Sequence, residues 1–170
     1  MELINNEIKF AKKGEKARMI IKMNNLADEE MIKKLYQASK AGVEIDLIIR
    51  GICSLISGVP GLSDNIRSIS VVDRFLEHSR IIYFHHGGEK RVYISSADWM
   101  TRNLDHRVEV SCPVYDENLK QELLDMLEIQ MNDDVKGRYL GECRNEYVKK
   151  GNGKNRSQIQ LYKYFKNQIV

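Results

Sequence analysis

The chain has 170 residues, 42% hydrophobic and 30% charged, with a formal net charge of +3, which is enough for one domain with a real core and too little for two large ones. No run of about 18 apolar residues occurs, and the opening MELINNEIKFAKKGEKARMI is charged rather than signal-like, so a soluble, intracellular protein is expected. Cys53, Cys112 and Cys143 are odd in number, widely spaced and without a C-x-x-C pair, which argues against a disulfide framework or a zinc site and predicts buried, reduced thiols.

A lead-in helix is predicted over Asn6–Lys13, followed by a strand in RMIIKM between the turn-prone segments KKGEK and NNLAD. Asp28 can cap the next helix, in which Met31, Ile32, Leu35, Tyr36 and Ala38 form an apolar stripe at helical spacing and Gly42 marks the stop. VEIDLIIRGI then alternates and ends in a continuous apolar run, as a strand does when it passes from half-buried to fully buried. Strand, helix and strand with short connections imply a parallel pair with a right-handed crossover. CSLISGVPGLSDN, with three glycines and a proline, reads as a loop.

Four further strands are predicted in IRSISVVD, SRIIYFH, RVYISS and HRVEVSCPV, the middle two joined through Gly87 and Gly88. Asp116 opens a helix with Leu119, Leu123, Met126 and Leu127 on one face. VKKGNGKNRSQ has the composition of a flexible basic connector, and SQIQLYKYFKNQ that of a short closing helix. From Lys136 to the end there are nine Lys/Arg against two Asp/Glu. That basic segment is either a solvated surface or a contact for a polyanion.

On a strand, residues two apart face the same way, so His78 and Arg80 in EHSRI are expected to project together. A base beside a fixed cation suits phosphate chemistry, because guanidinium can hold an anionic oxygen while imidazole moves a proton or attacks phosphorus. The bland alternative is a surface histidine beside a solvated arginine. After the hairpin, Ser95 and Ser96 fall where a strand ends, where backbone N–H groups and hydroxyls can approach an anion. In HRVEVSCPV, Val108, Val110 and Cys112 alternate with Arg107, Glu109 and Ser111, which predicts Arg107 and Glu109 on the face opposite the core.

This order of His-x-basic, hairpin, small-Ser-x-Asp, Arg and then Glu resembles one half-site of the phospholipase D superfamily, in which two halves meet and each supplies a histidine. The chain holds one half, and Arg80 and His85 stand where that superfamily's H-x-K-x-x-x-x-D pattern has lysine and aspartate. The phrases KARMIIKMNNLADEEMIKKLYQASKAGVEIDLIIRGICSL, GLSDNIRSISVVDRFLEHSRI and YISSADWMTRNLDHRVEV, together with RSQIQLYKYF near the end, more specifically resemble the C-terminal part of the bacterial polyphosphate kinase family. The resemblance implies an α/β fold: a single domain with a phospholipase-D-like mixed β-sheet flanked by helices. Residues 1–135 would form the catalytic domain, and 136–170 a basic C-terminal tail with a short closing helix.

It further implies reversible transfer of the terminal phosphate of ATP to polyphosphate through a phosphohistidine located outside this chain. His78 would move a proton or stabilise the transferring phosphoryl group, and Arg50, at the end of LIIRG, would clamp nucleotide phosphates. Glu109 would orient His78 from within about 3.2 Å or through one water; the alternative is a surface pairing of Glu109 with Arg107 or Arg102. Arg80 and Arg107 are further phosphate-contact candidates. Asp73, Asp98 and Asp105 are expected to order arginines rather than bind metal, with magnesium arriving as the ATP complex and no metal site in the chain. Trp99 and Tyr83 are either adenine-stacking or core residues, and His85, His86 and His106 have no motif support.

The implied partners are ATP or ADP, inorganic polyphosphate, preceding domains of the same enzyme and, at full length, further copies of it. Location would be cytoplasmic, with membrane association of the full-length enzyme left open. Two other readings stand beside this one: a phospholipase-D-like phosphodiesterase or nuclease completed by homodimerisation, and a non-catalytic polyanion-binding module. Nucleic acid would be a ligand only in those two cases, and its binding would depend strongly on salt.

Overall fold

Three parallel strands form the centre of the computed structural model, which describes residues 1–141, 146–148 and 151–168. Helix α1 (Glu2–Lys12) leads into β1 (Arg18–Met23), α2 (Glu29–Lys40), β2 (Glu44–Ile49) and β3 (Ile66–Val71). The hairpin of β4 (Ile81–Phe84) and β5 (Arg91–Ser95) follows, then α3 (Thr101–His106), β6 (Ser111–Val114), α4 (Glu117–Met131), β7 (Gly137–Tyr139) and α5 (Ser157–Lys166). The sheet order is β6-β5-β4-β1-β2-β3-β7; β1, β2 and β3 run parallel and the remaining pairs are antiparallel. This is the mixed sheet expected, and no helix among the described residues is long and apolar enough to cross a membrane.

The residue period explains the layering. Along β1, Met19, Ile21 and Met23 pack with Ile4 of α1 and Leu35 and Ala38 of α2, whereas Ile20 turns to the opposite face and meets Leu124, Leu127 and Met131 of α4. Asp28 caps α2 by accepting from the Met31 amide at 3.0 Å, and Gly42 takes φ +95° past the helix end. In the β4–β5 turn Gly87 has φ +63°, and a Cβ there would lie 3.1 Å from the Phe10 ring.

Several expectations are corrected. The segment expected to be one strand from His106 begins pairing only at Ser111, and its first residue, His106, closes α3 instead. Strand β5 ends at Ser95, so residues 107–110 have no ladder to join, and alternation alone cannot bury them: Val108 is 99% and Val110 57% exposed. Cys112 is exposed too, Cys53 is partly buried, and Cys143 lies outside the described residues. On α4 the buried stripe is Leu124, Leu127 and Met131 while Leu119 is exposed; apolar residues surround this helix, and the sheet selects one stripe among several.

The basic C-terminal segment contributes structure. Strand β7 pairs with β3 at Val71–Gly137 and Ser70–Arg138, and α5 packs on α4, where the Tyr164 hydroxyl donates to Asp125 at 2.9 Å. Asp133 joins these pieces: its Oδ1 accepts from the amides of Val135, Lys136 and Gly137 at 2.9, 2.6 and 3.0 Å, and its Oδ2 from the Ser157 amide at 2.7 Å.

Candidate phosphate-handling site

The carboxyl ends of β1 and β2, where open α/β sheets commonly bind ligands, carry a cluster of polar groups. Just beyond β1, the Asn24 amide donates to Asp98 Oδ1 at 2.9 Å and Asn25 Nδ2 to Asp98 Oδ2 at 3.0 Å. Arg50, just after β2, donates from Nε to Asn24 Oδ1 at 2.8 Å. Gly51 follows because a Cβ there would come within 2.6 Å of Asn25 Oδ1. From the other side, Arg80 Nε donates to Asp98 Oδ1 at 2.8 Å, and Arg80 Nη2 to His78 Nε2 at 3.1 Å. One hydrogen-bonded chain therefore runs His78, Arg80, Asp98, Asn24, Arg50.

Burial pushes the Asp98 carboxyl up, but the Arg80 hydrogen bond and the contacts of Asn24 and Asn25 outweigh it and hold the group below the usual aspartate range. Asp98 thus orders an arginine, as expected. Asp98→Asn should leave Arg80 without its charge partner and lower the stability of the chain by about 2–4 kcal/mol, the range for breaking one side of a buried charge-assisted pair. Chemical denaturation checks this; a loss below about 0.5 kcal/mol would assign the pair no structural weight.

His78 and Arg80 are brought together, although not by strand geometry. Both precede β4, whose pairing with β1 stops at Lys22–Ile81, so they lie on the loop leading into it. Lys22 anchors that loop. It is 3% exposed, and its Nζ donates to Ser79 Oγ at 2.7 Å and Ser79 O at 3.3 Å, with Glu77 Oε2 at 3.5 Å. Burial pulls the Lys22 pKa down, Glu77 opposes this, and Arg50 and Arg80 add to it. Gln158 of α5 clamps the same loop through both groups of its amide, accepting from the Phe75 amide at 3.0 Å and donating to the Phe75 carbonyl at 2.8 Å. Arg156 holds Asp73 with two bonds of 2.7 and 2.6 Å. A lysine inside RMIIKM was a readable signal for Lys22; the Asn24–Asn25 pair, read as turn residues, and Gln158 carried none.

The direct contact expected between Glu109 and His78 is not formed. Glu109 accepts from the Ser96 hydroxyl and, at 2.8 Å, from Asn103 Nδ2. These two bonds hold its carboxyl below the ordinary glutamate range, with Arg107 and Arg80 adding at longer range. Glu109 sits on the unpaired loop before β6, so the strand register that was to aim it at His78 does not exist. Neither Arg107 nor Arg102 pairs with it as the surface alternative required. Ser95 is also engaged internally, with Ser111 Oγ at 2.8 Å. Trp99 and Tyr83 are each 6% exposed and belong to the two cores.

The arrangement presents Arg50, Arg80 and an exposed His78 around one sheet end, with Lys22 beneath. Arg50 spends Nε on Asn24, which leaves its two terminal nitrogens for a forked contact with an anion. A phosphate oxygen can take the place of the Arg80–His78 contact and be held by both groups. The described residues contain no cluster of three or more His, Cys, Asp or Glu suited to a metal. A cavity of about 770 Å³ between α1, α2 and α3 is lined in part by Trp99 and by none of His78, Arg80, Arg50, Arg107 or Glu109.

The backbone defines a phospholipase-D-like domain. Nuc from Salmonella typhimurium, a phospholipase D family member, superimposes with a TM-score of 0.57 at 15% identity over 79% of this chain and 89% of Nuc, a likeness of fold alone. Residues 1–160 match the family described as polyphosphate kinase C-terminal domain 2, and the chain belongs to that family. The polyphosphate kinase of Vibrio parahaemolyticus serotype O3:K6 is 54% identical over 167 residues, and that of Escherichia coli K12 48% identical over 168. The matches cover 97% and 98% of this chain and 24% of each relative. The crystal structure of polyphosphate kinase from Porphyromonas gingivalis superimposes with a TM-score of 0.94 at 47% identity, over 98% of this chain and 26% of that one. The chain thus spans about a quarter of the length of these relatives.

Proposed function

We propose that this chain is the C-terminal half-site of an enzyme that reversibly transfers the terminal phosphate of ATP to linear polyphosphate. The observation that carries the reading is the bonded chain from His78 through Arg80 and Asp98 to Arg50, within a family matched over residues 1–160. In the forward direction ATP loses its terminal phosphoryl group to a histidine supplied outside this chain and leaves as ADP. A terminal oxygen of polyphosphate then takes the group, lengthening the polymer by one and freeing the histidine. His78 moves a proton or steadies the phosphoryl group in flight, and Arg50 grips nucleotide phosphates. Arg80 and Arg107 add positive charge that the Glu109 carboxylate feels and tempers. Magnesium arrives on the nucleotide.

Arg50→Lys tests the reading. In a polyphosphate kinase whose C-terminal quarter is this chain, kcat/KM for ATP should fall about 5- to 150-fold, equivalent to about 1–3 kcal/mol of transition-state binding, because an ammonium cannot bond Asn24 and fork onto phosphate at once. Unchanged kinetics at unchanged stability would return Arg50 to a purely structural place at the strand end. The nuclease reading has less support: Nuc and NucT of Helicobacter pylori share the fold at 15% and 10% identity, and Arg80 and His85 replace that superfamily's lysine and aspartate.

A further inference from the structure

Arg50 also lies at one end of a second feature that the half-site does not use. An open groove of about 380 Å³ leads from it across the ends of β2 and β3 to β7, lined among others by Ser70, Val72, Lys136, Arg138 and Tyr147. Three of its side chains are cationic, and no carboxylate lines it among the described residues. Arg138 is set in place by a neutral partner. Its Nη2 donates to the Tyr147 hydroxyl at 2.7 Å, and its guanidinium carbon lies 4.2 Å from the centre of that ring, so its charge is oriented without being neutralised. Lys136 reaches the groove from the turn that Asp133 fixes through the backbone. The acidic group that feels Lys136, Asp73, has its two oxygens bonded to Arg156.

We propose that this groove is a subsite for the linear phosphate chain, holding phosphates remote from the one being transferred. The inference rests on the phosphate-transfer reading above and deepens it by separating two anion contacts: Arg50 at the reacting end, Lys136 and Arg138 along the polymer. A row of cations with no carboxylate among the described lining residues suits a ligand that repeats one charge along its length. A nucleotide concentrates its charge on a few phosphates and offers a base, for which the described lining of this groove has only Tyr147, already covered by Arg138. Binding of such a dense polyanion releases condensed counterions, so each contact adds to the salt dependence.

The test measures binding of linear polyphosphate and, separately, of ATP to a polyphosphate kinase whose C-terminal quarter is this chain, by calorimetry at several salt concentrations. Lys136→Gln and Arg138→Gln should each weaken polyphosphate binding about fivefold and lower the slope of log Kd against log salt by about one, while ATP affinity stays within twofold. Lys136→Arg should restore binding, which separates lost charge from altered folding. Equal losses for ATP and polyphosphate, or unchanged polyphosphate binding in both glutamine variants, would overturn the subsite. If Arg50→Gln weakens both ligands while the groove variants weaken neither, the subsite alone fails and the half-site reading stands. If the unaltered enzyme binds neither ligand, both fail.

Discussion

Asp133→Ala is expected to cost about 3–5 kcal/mol, more than any other single substitution outside the apolar cores. The side chain is fully buried, and its carboxylate accepts four backbone amides from the start of β7 and of α5. Removing it strands those donors where the structure has no other acceptor for them, and each buried unsatisfied group costs about 1–3 kcal/mol, with entering water recovering part. Nor can the backbone close up around the gap, because Gly137 already sits so close that a Cβ there would lie 2.3 Å from the Asp133 carbonyl oxygen. Denaturant unfolding of the two proteins gives the difference directly; a loss under about 1 kcal/mol would show that the junction rebuilds without the carboxylate.

The same substitution has a pH signature. Burial pushes the Asp133 carboxyl up, but the Ser157 side chain and the amides of Lys136, Ser157 and Val135 outweigh it and leave the group below the ordinary range. A carboxyl whose folded pKa is depressed contributes stability that is fully present above its unfolded value, about 3.9, and is lost as pH falls through the lowered folded value. The gap between native and Asp133→Ala proteins should therefore be constant near neutrality and narrow on acidification below about pH 4.

What the sequence makes legible depends on how local the cause is. The β1–α2–β2 unit reads cleanly because Asp28, the 31–35–38 stripe and Gly42 state its period and both ends within one stretch. Strand β7 does not: Gly-Arg-Tyr shows no alternation, and those residues are a strand only because β3 offers them an edge. Conversely, Val108 and Val110 have an alternating pattern but no ladder, Val110 being tied to Ser96 by a single backbone bond of 2.9 Å, so pattern without continuous pairing gave a false strand. At the site, His78, Arg80 and Arg50 are recognisable from their types and from the family resemblance. The groups that position them, Lys22, Asn24 and Gln158, come from β1, the turn after it and α5, and meet only in three dimensions. The Glu109 contact failed for the same reason, because it was inferred from a register that a loop does not keep.

His78 is the group on which the functional account turns. It is exposed and bonded only to Arg80 among the described residues, so replacing it should leave stability nearly untouched. Glutamine can still accept the Arg80 hydrogen bond but cannot take up a proton at neutral pH. The most direct measurement is the rate of polyphosphate synthesis from ATP by a polyphosphate kinase whose C-terminal quarter is this chain, compared with the same enzyme carrying His78→Gln and with the 170-residue chain alone. The account predicts a fall of about 10²- to 10⁴-fold in the variant, the usual weight of a positioned acid–base group, with unfolding unchanged and no synthesis by the chain alone. A variant within threefold of the parent enzyme, or steady synthesis by the isolated chain, would contradict it.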